Sequence, residues 1–354
     1  MSNNHYYVIG LMSGTSLDGV DLCYVSFKKS DITKFNIISS KTFSYDKKWL
    51  NKLKEGSLLD KIKLKKLDNK FAILLSKFIR KFIQEFKIEK VDFISSHGHT
   101  IFHEPQKGKT LQIGNGKIIC KKVNINVVSN FRIQDVKYKG QGAPLVPIGD
   151  LHLFRDYKFC INLGGFSNIS IKNNGTIKAY DICPVNTVLN YYSNKLGYSF
   201  DSDGILSKKG SINLKLLSEL NKISFYEKTG PKSLGIEFVK SEIFPIIDKY
   251  LLNPEDILKT FIEHISDQIN RCIINGENEK ILLTGGGSYN ETLVRAMKNK
   301  LDSNLIIPKN EIVDFKEALI FAYIGLLRIK KKINCLKSVT GANKDHSSGD
   351  IYKI

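Results

Sequence analysis

The chain has 354 residues, 42% of them hydrophobic, with 54 Lys and Arg against 35 Asp and Glu and a formal net charge of +19. That length suits two domains with sizeable cores, and that hydrophobic content excludes a disordered chain. No apolar run approaches the ~20 residues of a membrane span, and Met1-Ser2-Asn3-Asn4 leads into a strand pattern without the basic region or cleavage site of a secretion signal.

Three strand patterns open the chain, over 6–12, 20–27 and 35–45. Between the first two lies Ser13-Gly14-Thr15-Ser16-Leu17-Asp18-Gly19, a turn of small, hydrogen-bonding residues followed by Val20 and Asp21. Gly14 and Gly19 let backbone approach a ligand. Amides and the hydroxyls of Ser13, Thr15 and Ser16 can surround an anion, and Asp18 and Asp21 can hold Mg²⁺ or its waters on a phosphate. A β-hairpin with a polar tip is the plainer alternative. The turn is not a P-loop, because no Gly-Lys-Ser/Thr follows, and not a dinucleotide fingerprint, because the next element is a strand.

Helical spacing follows over 58–86, where Leu67, Phe71, Leu74, Leu75, Phe78, Ile79 and Phe82 form one apolar stripe. The lysines between them read as its solvated face, so the positive charge predicts attraction of anionic substrates rather than a nucleic-acid partner. Residues 91–95 read as a buried strand ending in Ser96-His97-Gly98-His99-Thr100, and 125–128 as another after a short helix. With His103 the histidines spell H-x-H-x-x-x-H. A loop presenting His97 and Thr100 to a ligand fits better than a metal site, since only Glu104 is at hand to complete one. Phe131-Arg132-Ile133-Gln134-Asp135 and Gly140-Gln141-Gly142-Ala143-Pro144 come next. Arg132 can clamp a carboxylate, while the glycines either present Gln141 to a ligand or merely build an interdomain loop.

The pattern then restarts: a strand over 159–163, a Gly164-Gly165 turn, a strand over 166–171, an Asn173-Asn174-Gly175 turn and a strand over 176–180. Pro184 suits the first turn of a helix reaching about Leu196. Asp181, between strand and helix, is placed either as a general base or as a cap for that helix. A strand over 280–284 ends in Gly285-Gly286-Gly287 before a helix over 291–301, which lets backbone approach a flat ligand. Glu317 opens an otherwise apolar helix and needs a partner or a task. Cys23, Cys120, Cys160, Cys183, Cys272 and Cys335 form no C-x-x-C pair and read as buried free thiols in a reducing, cytoplasmic setting, with no structural metal.

The repeated strand–Gly turn–strand–strand order predicts duplication. The expected fold is α/β, with two RNase H-like lobes of the actin-like ATPase superfamily (sugar kinases, Hsp70, actin) and an interlobe cleft. The expected lobes are 1–137 with 335–354, and 138–334.

The wording of these motifs resembles one family, anhydro-N-acetylmuramic acid kinase. The matching stretches are Gly10-x-Met12-Ser13-Gly14-Thr15-Ser16-x-Asp18-Gly19-x-Asp21, Ser96-His97-Gly98-x-Thr100, Phe131-Arg132-x-x-Asp135, and Gly140 through Pro147. Phe200-Asp201-x-Asp203-Gly204, Pro231-Lys232-Ser233-x-Gly235, Glu317-Ala318-x-x-Phe321-Ala322 and Ser338 through Ala342 also match, in order. The resemblance implies ATP and Mg²⁺ as cofactors, held by residues 14–21, by Gly164 and Gly165, and by Gly285, Gly286 and Gly287. It implies an amino-sugar substrate met by His97, Thr100, Arg132, Gln141 and Glu317, and it admits a homodimer. It also implies that Asp181 activates the water that opens the anhydro ring as the sugar is phosphorylated. Asp181-Ile182-Cys183-Pro184-Val185-Asn186 keeps the family's Asp, Pro and Asn but not its small residues, so a phosphate contact there would be altered. Two other readings stay open: a kinase in which Asp181 deprotonates a sugar hydroxyl directly, and an ATP-driven conformational switch without a small substrate.

Overall fold

The computed structural model describes residues 4–15, 17–228, 230, 232–273, 278–301 and 304–354. It contains two compact units, Met1–Leu153 with Phe315–Ile354, and Phe154–Asp314.

The first unit carries β1 (His5–Ser13), β2 (Val20–Lys28), β3 (Asp31–Phe43), β4 (Phe93–Glu104), β5 (Lys109–Ile113), β6 (Val127–Ser129) and a last strand, Asp350–Tyr352. β1 pairs antiparallel with β2 from His5↔Lys28 to Met12↔Asp21, and parallel with β4. β2 pairs antiparallel with β3, and β4 pairs parallel with β6. Val8, Ile9, Leu11, Val20, Leu22 and Val25 are all fully buried. Such unbroken apolar runs belong to strands covered on both faces. On one side lies the helix Lys61–Glu85, capped by Asp60 and burying Leu67, Phe71, Leu75, Ile79 and Phe82. On the other lies the helix Asn310–Ile329, so close that a Cβ at Gly10 would sit 2.0 Å from the Ala318 carbonyl oxygen.

The second unit carries β7 (Phe159–Leu163), β8 (Phe166–Asn173), β9 (Thr176–Pro184), β10 (Ile281–Thr284) and β11 (Leu305–Ile306) in the order β11-β10-β7-β8-β9. β7 is antiparallel to β8 and parallel to β10; β8 is antiparallel to β9, and β10 parallel to β11. The first sheet has the same core order, β6-β4-β1-β2-β3. The expected duplication is therefore present in the sheets, each an RNase H-like arrangement. The helix Pro254–Cys272 buries Ile257, Leu258, Phe261, Ile262, Ile265 and Ile269 into the second core.

Three expectations shift in detail. The histidine motif lies inside β4, not in a loop after a strand at 91–95. Gly98, at φ +76°, redirects the strand, and its second half pairs with β5 from His99↔Ile113 to Glu104↔Lys109. Pro184 ends β9, opposite Phe166, and the helix starts only at Asn186. The first unit also takes in 138–153 and 315–334, which were expected in the second lobe. The helix Pro147–Leu153 is tied to the helix Asn310–Ile329 by a buried ion pair, Lys316 Nζ to Asp150 Oδ1 at 2.8 Å. Among the described residues no helix is long and apolar enough to cross a membrane.

Candidate active site

In the first unit, β1 and β2 hold residues 14–19 as a tip. Gly14, Thr15, Leu17, Asp18, Gly19, Val20 and Asp21 are placed there; Ser16 lies outside the described residues. Leu17 is left-handed (φ 65°), its amide donating to the Gly14 carbonyl at 3.3 Å. A left-handed leucine is strained unless its surroundings hold it. The base of the tip is held by Ser13, whose hydroxyl bonds with Tyr45 Oη at 2.6 Å and His99 Nδ1 at 2.9 Å. Burial keeps both neutral, raising the Tyr45 phenol and lowering His99 to about 4. Asp21 Oδ1 accepts from Thr42 Oγ1 at 2.6 Å, while Thr15 and Asp18 are exposed at the tip. A hydroxyl and a hard carboxylate beside free turn backbone suit phosphate and a hard cation such as Mg²⁺.

The same unit gathers His97, Arg132, Gln141 and Glu317. Arg132 donates through Nε to His97 Nε2 at 2.9 Å and through Nη1 to the Gly142 carbonyl at 2.8 Å. His97 is buried and its Nδ1 faces the Gly98 carbonyl at 3.0 Å, so the neutral ring donates there and accepts from Arg132. Burial and then the Arg132 charge press its pKa well below the ordinary value, in agreement with that tautomer. Both ring nitrogens are thus engaged. His97 stands behind Arg132 and orients it, and offers nothing to a sugar hydroxyl as the sequence had suggested. Burial pulls Arg132 down to about 10, still a cation at neutral pH, and Glu317 opposes that pull. Arg132 Nη2 has no protein partner among the described residues, which leaves one edge of the fork for an anion. Gln141 is exposed, its backbone N–H donating to the Thr340 carbonyl at 2.7 Å. Thr100 is half-buried, 3.4 Å from Gln112 Nε2. The histidines do not converge on a metal: His99 serves Ser13, and His103 Nδ1 meets Thr110 Oγ1 at 2.9 Å.

In the second unit, Asp181 lies within β9, opposite Asn168. Its Oδ2 accepts from the Leu234 amide at 2.9 Å, and its own amide donates to the Lys232 carbonyl. It does not cap the helix Asn186–Lys195, whose N-cap is Val185, so the capping alternative falls. Burial raises the Asp181 carboxyl, partly offset by the Leu234 hydrogen bond. A half-buried carboxylate with one oxygen fixed and the other without a partner among the described residues has the form of a general base.

The Gly164-Gly165 turn is bound to the start of that helix. Val185 and Thr187 amides donate to Gly165, and the Asn186 amide to Gly164. Cys183 and Val185 are fully buried, so their bulk enters the core, and Val185 runs at φ −129°. Gly285 (φ +85°) packs on β7, where a Cβ would lie 2.8 Å from the Leu163 backbone. Gly286 and Gly287 line a cavity of about 310 Å³ with Asn186, Asn190, Phe200, Asp203, Tyr289 and Asn290 among its walls. Aromatic faces and amides around a glycine-rich floor suit a flat heterocycle. The sequence pointed to the glycines but not to Asn190, Tyr289 or Asn290. Tyr289 and Asn290 come two and three residues after the third glycine and were within reach of that signal; Asn190 is a helix-surface residue with none. Gly285→Ala is expected to lower stability by about 1–3 kcal/mol through the forbidden φ and the Leu163 contact, and to weaken binding of a non-hydrolysable ATP analogue. Thermal melting and calorimetric titration check both.

The sequence model of the family described as anhydro-N-acetylmuramic acid kinase matches residues 6–354. A protein of that name from Haemophilus influenzae is 31% identical over 376 residues, covering 98% of this chain and 97% of its own. Another from Francisella tularensis subsp. novicida is 31% identical over 377 residues, covering 99% of each. Among solved structures, component A of the (R)-2-hydroxyglutaryl-CoA dehydratase of Acidaminococcus fermentans aligns over 90% of this chain and 96% of its own, with 13% identity and a TM-score of 0.48. With nearly its whole length matched, the chain belongs to the anhydro-N-acetylmuramic acid kinase family and is a kinase.

Proposed function

We propose that the protein phosphorylates 1,6-anhydro-N-acetylmuramic acid with ATP while water opens the anhydro ring, giving N-acetylmuramic acid 6-phosphate and ADP. Asp181 takes a proton from water, whose oxygen bonds to the anomeric carbon. The bond from that carbon to O6 breaks, and O6 takes the γ-phosphoryl group as ADP leaves. Residues 14–21 hold phosphates, Asp18 and Asp21 supply oxygen ligands suited to Mg²⁺, and that ion when bound spreads phosphate charge. Gly285, Gly286 and Gly287 lie under the adenosine, and Arg132 takes the sugar's lactyl carboxylate, with Thr100, Gln141 and Glu317 about it. The observation that carries this reading is Asp181, pinned through one oxygen in a chain that matches the family from end to end. The buried free thiols support a cytoplasmic setting for cell-wall recycling.

ADP release coupled to a reporter, with and without the anhydro sugar, tests the reading. Release that the sugar does not stimulate, from folded protein that binds ATP, would favour the conformational switch. In ¹⁸O-labelled water the label is expected at the anomeric hydroxyl; label in the phosphate would mean plain ATP hydrolysis, and label in neither a direct hydroxyl kinase. Arg132→Lys keeps the charge but loses the fork, and should raise KM for the sugar roughly 10- to 100-fold, matching the ~1.5–3 kcal/mol of hydrogen bonds to charged groups. An unchanged KM would remove Arg132 from substrate binding.

A further inference from the structure

We propose that Asp135, Cys335 and His346 form a binding site for one zinc ion within the first unit. The three side chains come from distant parts of the sequence. Asp135 sits on the helix Ile133–Lys137, and Cys335 and His346 form an antiparallel bridge, with amide–carbonyl bonds of 3.1 Å in each direction. Residues directly opposite in such a bridge project on one side. All three are buried, and one donor atom from each lies within 4.8 Å of the others.

The decisive observation is on His346. Its Nδ1 faces the Lys344 carbonyl at 3.2 Å, which places the ring proton on Nδ1 and leaves a lone pair on Nε2. Nε2 is buried without a hydrogen-bond partner among the described residues, and 3.5 Å away is Asp135 Oδ1. With the proton on Nδ1, two buried acceptors face each other, an arrangement that a cation between them would satisfy. In tetrahedral zinc the N and O ligands, each at ~2.0–2.1 Å from the metal, stand roughly 3.3 Å apart. The observed spacing is already close to that. A backbone carbonyl on the distal ring nitrogen is also the usual support of a metal-bound histidine. Asp135 is oriented in the same way: Oδ1 accepts from Thr340 Oγ1 at 2.8 Å and Oδ2 from the Gly142 amide at 2.7 Å. A thiolate, an imidazole and one carboxylate favour zinc over Mg²⁺ or Ca²⁺, which take oxygen ligands. Binding converts the Cys335 thiol to thiolate, and the proton leaves to solvent.

The site lies under the loop that presents Gln141. Asp135 Oδ2 holds Gly142, and the Thr340 carbonyl takes the Gln141 amide. A bound ion therefore braces that loop from below and touches no reacting group.

The test uses the full-length protein, equilibrated with zinc, dialysed against metal-free buffer and assayed by plasma mass spectrometry. About one equivalent per chain is expected to remain, and the melting temperature should rise with zinc. Cobalt in place of zinc should give a thiolate-to-metal charge-transfer band in the near ultraviolet. Cys335→Ser should abolish the band and His346→Gln the retained zinc, with circular dichroism reporting the fold of each. Wild-type protein of native dichroism that keeps less than about a tenth of an equivalent and shows no cobalt band overturns the site; a protonated His346 paired with Asp135 would then be the cation. Zinc kept equally by both folded variants also overturns it, since the ion would be bound elsewhere.

Discussion

Asp181→Asn is expected to fold, to bind ATP and to lose about 10²- to 10⁴-fold in turnover, the usual contribution of a positioned general base. The amide is isosteric and can still accept from the Leu234 amide through its carbonyl oxygen, so the local structure survives. Stability gives a control with a definite sign. Burial raises the Asp181 carboxyl in the folded state, so the ionised side chain opposes folding at neutral pH, and replacing it should leave melting unchanged or slightly higher. The same shift sets the pH profile. The base works only when ionised, so kcat/KM of the wild type should fall as pH drops through a value above the ordinary carboxyl range, and that acid limb should vanish in the variant. Near wild-type turnover, or an unchanged acid limb, would remove Asp181 from the chemistry.

Much of the scaffold was legible because its signals are local. Two turns of small residues between apolar runs mark the paired strands of each unit, and the stripe from Leu67 to Phe82 marks one face of the helix Lys61–Glu85. What was not legible depends on partners far away in sequence. The histidine motif continues β4 because β5 pairs with it, and β5 begins only at Lys109. His97 looks like a ligand-facing residue until Arg132, 35 positions on, occupies it. Pro184 carries a helix-start signal, yet the Gly164-Gly165 turn takes up the amides beyond it and keeps β9 extended to that point.

The candidate site divides along the same line. Residues in distinctive short motifs, such as the tip at 14–21 and Gly285 to Gly287, announce themselves. Asn190 and Tyr289 contribute a wall only through the packing of the second unit. The donor set of Asp135, Cys335 and His346 has no spacing signature at all, since 200 positions separate the first from the second. Reasoning from C-x-x-C pairs could not reach it.

Lys316→Ala is expected to destabilise the first unit by about 3–5 kcal/mol, the range for breaking a buried ion pair from one side. Lys316 and Asp150 are 5% and 3% exposed, so the variant removes one side of a pair held in a poorly solvated place. For a unit of this size that corresponds to about 6–20 °C in melting temperature. The pair joins the helix Pro147–Leu153 to the helix Asn310–Ile329, in which Glu317 follows Lys316 and the Ala318 carbonyl abuts Gly10 of β1, the strand that leads into the tip at 14–21. Loosening it should therefore raise KM for the sugar as well as lower stability. Replacing both partners by apolar residues of similar volume, Asp150→Leu with Lys316→Met, should recover most of the melting temperature, because both charges leave the buried place together. A single variant that melts like the wild type would show that Asp150 is satisfied by other groups, and that the buried pair does not hold these helices together.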